Sequence, residues 1–164
     1  MKYNLIQLLA QCEYELASIG IITGAVKEIK INPRFTSTWG YCKKLPNGDF
    51  AIDLSKRLFE EGNEKGIKTT IIHELLHTCE GCFNHGAEWK AKAEKVNAAY
   101  GYNIKRCTSA KEKGIEETGR GTKIKYIVVC ARCGYEFCRS KESNLIKYPS
   151  RYLCSCGGKL KRIL

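Results

Sequence analysis

Ile71-Ile72-His73-Glu74-Leu75-Leu76-His77 is the stretch on which the reading of this chain turns. Its two histidines are four apart, a spacing that puts both rings on one face of an α-helix, one turn apart. Ile71, Ile72, Leu75 and Leu76 form an apolar stripe beside them, so a buried helix is expected. His85 follows, and the chain's 3 histidines all fall in this one window of its 164 residues.

Histidine used here and nowhere else points to a bound metal. Zinc in hydrolytic sites takes three protein ligands and leaves one position open. His73, His77 and His85 are the expected set, with Gly86 giving the backbone freedom to bring His85 back. Glu74 occupies the position of a zinc peptidase's general base. Beside an apolar stripe an unpaired carboxylate is costly, which argues against a helix whose His and Glu merely face solvent. The competing reading is a closed structural site completed by Cys79 or Cys82, but such a site has no use for Glu74. In the expected hydrolysis, zinc lowers the pKa of water. Glu74 accepts the proton and returns it to the leaving nitrogen. The pattern names no donor for the oxyanion.

The chain has 10 cysteines. The N-terminus reads as an amphipathic helix rather than an export signal, so a cytoplasmic protein is expected, with cysteines that bind metal rather than pair. Cys130-Ala131-Arg132-Cys133 is one knuckle and Cys154-Ser155-Cys156 the other, the layout of a zinc ribbon with four thiolate ligands to a second, structural zinc. The second pair is tighter than usual, which leaves Cys138 as an alternative to Cys154 or Cys156. Cys12, Cys42, Cys79, Cys82, Cys107 and Cys138 are otherwise expected as packing residues or free thiols.

The net charge of +11 is uneven: residues 120–164 carry 11 Lys/Arg against 2 acids, and residues 1–119 carry 17 against 15. Lys123, Lys125, Arg132, Arg139, Lys141, Lys147, Arg151, Lys159, Lys161 and Arg162 thus cluster on the cysteine module, with Tyr126, Tyr135, Tyr148 and Tyr152 among them. Cations neutralise phosphates and exposed rings stack on unpaired bases, so DNA with single-stranded character is the expected partner. The bland alternative is a solvated face, and Tyr126 and Tyr152 are expected in the ribbon core. Trp39 and Trp89 are likewise expected in core positions. No apolar run suits a membrane span.

Leu5, Leu8, Leu9, Cys12, Leu16 and Ile19 predict a first helix ended by Gly20. Strands are expected over 26–31, 35–42 and 50–54, the last two joined by a hairpin containing Asn47-Gly48. A short helix follows over 55–61, interrupted by Gly62 and Gly66. A helix is expected over 87–100, ended by Gly101, and a short strand over 124–129. Residues 105–122 have little to bury and read as a linker or exposed loop.

The chain resembles the SprT-like family of zinc metallopeptidases, whose animal members include Spartan. The likeness is carried by His73-Glu74-Leu75-Leu76-His77 with His85-Gly86-Ala87-Glu88-Trp89, by Asn32-Pro33-Arg34 leading to Thr38-Trp39-Gly40-Tyr41-Cys42, and by the terminal cysteine module. The resemblance implies an α+β, zincin-like metalloprotease domain over 1–104, with a small antiparallel sheet and an active-site helix, then the linker and a zinc ribbon over 123–164. It implies zinc on His73, His77 and His85, catalysis by Glu74, and cleavage of proteins trapped on DNA. A non-enzymatic, zinc-containing nucleic-acid-binding protein with a structural upper site is the alternative.

Overall fold

The computed structural model describes residues 2–116 and 124–164. Lys123 of the basic cluster and residues 117–122 of the expected linker lie outside the described residues. Helix α1, Leu5–Ser18, is capped by the Asn4 side chain and ends at Gly20, whose φ of 71° suits a residue without a Cβ. Leu8, Cys12 and Leu16 form its buried stripe, packed on the helix that carries the histidines.

Three strands follow: β1 (Val26–Asn32), β2 (Gly40–Lys44) and β3 (Phe50–Ser55). The expected hairpin forms, with β2 antiparallel to β3 and Gly48 turning at φ 90°. The sheet as a whole is mixed rather than antiparallel, because β1 pairs with β3 in parallel and the order is β1-β3-β2. The cause is visible in β3. Its Phe50-Ala51-Ile52 run and Leu54 are buried, as befits a central strand covered on both faces. Strand β2 also starts later than expected. Residues 36–39 leave the sheet and line the cleft described below.

After the short helix α2 (Lys56–Glu61), α3 runs Glu64–Leu76, capped by Asn63, whose side chain accepts from Gly66 N–H at 2.7 Å. Gly66 therefore lies inside the first turn of α3 and does not interrupt it. Ile67, Ile71, Ile72, Leu75 and Leu76 are fully buried between α1, the sheet and α4 (Ala87–Tyr100). Burying each such side chain stabilises by about 1.5–3 kcal/mol before chain entropy is counted.

Residues 105–116 do not form an exposed linker. They fold over α3 through a 3-10 turn, Lys111–Lys113, and bury Ala110, Lys113 and Ile115. The anchoring is largely backbone against glycine, which hydropathy does not reveal.

The C-terminal unit is a three-stranded antiparallel sheet of β4 (Tyr126–Cys130), β5 (Glu136–Arg139) and β6 (Leu160–Arg162), in the order β5-β4-β6. Val128, Leu160 and Ile146 of α5 (Asn144–Lys147) make a thin core. Tyr126 packs against it, whereas Tyr152, expected in the core, is 40% exposed. A core this small needs a further source of stability. Among the described residues, no helix is long and apolar enough to cross a membrane.

Candidate metal and catalytic site

His73 lies in the last turn of α3, His77 caps its C-terminus, and His85 returns on the loop before α4. The three rings meet. His85 Nε2 lies 2.9 Å from His73 Nε2 and 3.0 Å from His77 Nε2. His77 Nδ1–H donates to the Cys82 carbonyl at 2.8 Å, which turns its Nε2 lone pair toward the other two. Burial is the main reason that all three imidazoles titrate below their usual range, His85 down to about 3, and the charge each would add to its neighbours reinforces it for His73 and His85. Neutral, converging ring nitrogens are the donor set a borderline-soft cation takes. Three nitrogens at 2.0–2.1 Å from a tetrahedral zinc would be roughly 3.3 Å apart. The set fits such an ion after a small expansion.

Trp89 of α4 backs this cluster. It is 1% exposed, and its ring lies 4.7, 5.7 and 4.6 Å from those of His73, His77 and His85. It is a core residue, as expected, and also the wall that sets the three imidazole planes. Cys79 and Cys82 are buried in the main core and are not part of the three-histidine group. The Cys82 contribution is a backbone oxygen, for which the sequence carries no signal.

Glu74 is buried beside the cluster, and desolvation pushes its carboxyl up to about 8. The Lys113 ammonium and the Cys42 backbone N–H pull the other way. Gly40 makes room for it: a Cβ there would stand 2.6 Å from Glu74 Oε1. Glu74, His73 and His85 face a cleft of about 930 Å³. Residues 36–40 and 105–110 both line it, and they meet where Trp39 Nε1–H donates to the Thr108 carbonyl at 3.4 Å. Ile124, Ile127 and Leu164 of the C-terminal unit also line it.

In the second site, Cys130, Cys133, Cys154 and Cys156 come together. Sγ–Sγ distances of 3.5 Å (Cys130–Cys156) and 3.7 Å (Cys133–Cys154) match the roughly 3.8 Å expected around a tetrahedral zinc at 2.3 Å. Backbone N–H groups of Cys133 and Arg132 draw the Cys130 thiol down, toward the thiolate a metal needs, while burial pushes that of Cys133 up. Gly158 admits the sulfurs, since a Cβ there would meet Cys130 Sγ at 2.5 Å. Cys138 is not in this cluster. It is joined to Cys107 by a disulfide, so neither is the free thiol expected from sequence. That bond ties the cleft wall to β5. Arg106 adds to the junction by lying 3.9 Å from the centre of the Tyr135 ring and donating to its hydroxyl at 2.9 Å, and Lys90 pairs with Glu136 at 3.3 Å.

A sequence model of the SprT-like family matches residues 12–108, the span that builds the histidine site. The curated protein named "Protein SprT-like" from Geobacillus sp. (strain WCH70) is 27% identical over 136 residues, covering 79% of this chain and 77% of that protein. The chain belongs to the SprT-like family. Its fold is mixed α/β with small sheets, and the four-cysteine cluster near the C-terminus is consistent with a zinc ribbon.

Proposed function

We propose that this chain is a zinc-dependent endopeptidase of the SprT-like type, acting on proteins held on DNA. The observation that carries the reading is the convergence of His73, His77 and His85 beside the buried Glu74, with His73, His85 and Glu74 facing an open cleft. His73, His77 and His85 would hold the catalytic ion, and Cys130, Cys133, Cys154 and Cys156 a structural one. When bound, the catalytic ion supplies Lewis acidity toward a carbonyl and toward water.

The protein's own groups do the rest. Cys82 fixes the His77 ring, and Trp89 holds the three imidazoles against rotation. Glu74 is desolvated, so its carboxylate is a stronger base than one in water. It takes the proton of the attacking water and delivers it to the leaving nitrogen. A peptide laid in the cleft would meet residues 36–40 and 105–110.

The DNA part rests on the basic C-terminal unit and on what the family resemblance implies. Tyr148 and Tyr152 are 47% and 40% exposed, and the Arg151 guanidinium lies 4.6 Å from the Tyr148 ring centre. This combination suits unpaired bases. Docking there raises the local concentration of DNA-bound targets at the cleft.

The test is Glu74→Gln. Cleavage of a denatured protein substrate should fall by about 10²-fold or more while zinc content is unchanged. Undiminished cleavage rejects Glu74 as the base. Single-stranded DNA at low salt should accelerate the wild type. No acceleration removes the DNA part and leaves the peptidase.

A further inference from the structure

The chemistry above gives no role as a ligand-binding group to a buried cation in the same cleft. Lys113 ends the 3-10 turn Lys111–Lys113 and is only 3% exposed. Its backbone is clamped to the start of α3. Asn63 N–H donates to the Lys113 carbonyl at 3.1 Å. A Cβ on Gly66 would stand 2.6 Å from that same carbonyl oxygen and 2.7 Å from Lys113 Cα, so only glycine permits the approach. Gly114 turns left-handed at φ 72°, with Asn63 Nδ2 2.3 Å from where its Cβ would be. From this fixed base the Lys113 side chain joins Thr70, His73 and Glu74 in lining the cleft.

Its ammonium has no hydrogen bond or ion pair with any described residue. Neighbouring cations differ. Lys105 pairs with Glu112 at 2.7 Å, and Arg57 with Glu61 at 2.9 Å. Burial lowers the Lys113 pKa to about 8, and the Glu112 and Glu74 carboxylates pull it back without a hydrogen bond to it. An unpaired buried charge is costly unless its partner arrives with a ligand.

We propose that Lys113 is the anion-receiving residue of the cleft and takes the side-chain carboxylate of an acidic residue near the scissile bond of a bound peptide. A peptide is the fitting ligand because Lys113 sits at depth. An extended chain can lower one carboxylate to it, whereas a sugar-phosphate backbone is better met by the exposed cations of the C-terminal unit. Only the placement near a scissile bond rests on the peptidase reading. The contact itself is one of binding.

The experiment uses the zinc-loaded full chain carrying Glu74→Gln. Fluorescent nonapeptides of one uncharged host sequence carry Glu at each position in turn, each with a Gln twin, and anisotropy reads their affinities. At one position the Glu peptide should bind about tenfold or more tighter than its twin. Adding Lys113→Met should abolish the difference, and Lys113→Arg should keep part of it. No advantage of Glu at any position overturns the proposal, as does an advantage that survives Lys113→Met. Should Lys113→Met not fold, amine labelling of the Glu74→Gln chain read by mass spectrometry decides. The Glu peptide must protect Lys113 and its twin must not; equal labelling overturns the proposal. A wild type that cleaves nothing while the Glu preference stands would overturn the peptidase reading alone.

Discussion

Gly40 and Glu74 are packed so closely that a single added carbon on the glycine would stand 2.6 Å from the carboxylate oxygen Oε1. The same carbon would lie 2.9 Å from Thr70 Cγ2, so the helix side offers no retreat. Gly40→Ala should therefore displace the Glu74 carboxylate without touching the imidazoles. Peptide cleavage should drop by about 10²-fold, the cost typical of misplacing a reacting group by an ångström. Zinc content should be unchanged, and mass spectrometry of the native protein checks it.

The metal-free protein should be acid-sensitive. Its three imidazoles titrate below their usual range when folded, His85 at about 3, and near 6.5 when unfolded. A depressed folded pKa gives stability that is present above about 6.5 and is lost as pH falls toward the folded value. Glu74 acts in the opposite sense, because its folded pKa is raised to about 8. Between roughly pH 4.5 and 6.5 the unfolded chain gains up to three imidazole protons while the folded chain holds one extra carboxyl proton. The histidines win, and urea midpoints of the zinc-stripped protein should fall on going from pH 6.5 to 4.5.

Cys107 and Cys138 are 31 residues apart, and closing a loop of that size removes unfolded-chain entropy worth roughly 3–4 kcal/mol. Cys107→Ser should lower the stability of the oxidised protein by up to that amount. The variant should match the wild type once both are fully reduced. Denaturation with and without reductant, in the presence of zinc, checks the difference.

Much of this architecture can be read in the chain because the decisive signals are local. The stripe Leu8, Cys12, Leu16 and the stripe Ile71, Ile72, Leu75, Leu76 each follow helical spacing, and both are buried. Asn47-Gly48 places the β2–β3 turn. The meeting of His73, His77 and His85 needs a helix of known period and one return loop. What escapes is long-range or backbone-borne. Parallel pairing of β1 with β3 depends on which strand is central, and only the nearly continuous apolar run of β3 hints at it. Residues 105–116 look hydrophilic because their attachment runs through the Lys113 carbonyl against Gly66 and through two apolar side chains, Ala110 and Ile115. A glycine inside a helical pattern often marks such an approach, and Gly66 was that mark. The Cys107–Cys138 bond joins residues that no spacing rule connects.

The proposed chemistry requires His73, His77 and His85 to share one ion, separate from that of the four cysteines. Counting zinc on the purified full chain and on His85→Ala tests it most directly. About two ions per chain are expected in the wild type and about one in the variant, with the four-thiolate site still filled. A variant that retains both ions, with affinity unchanged, would contradict it.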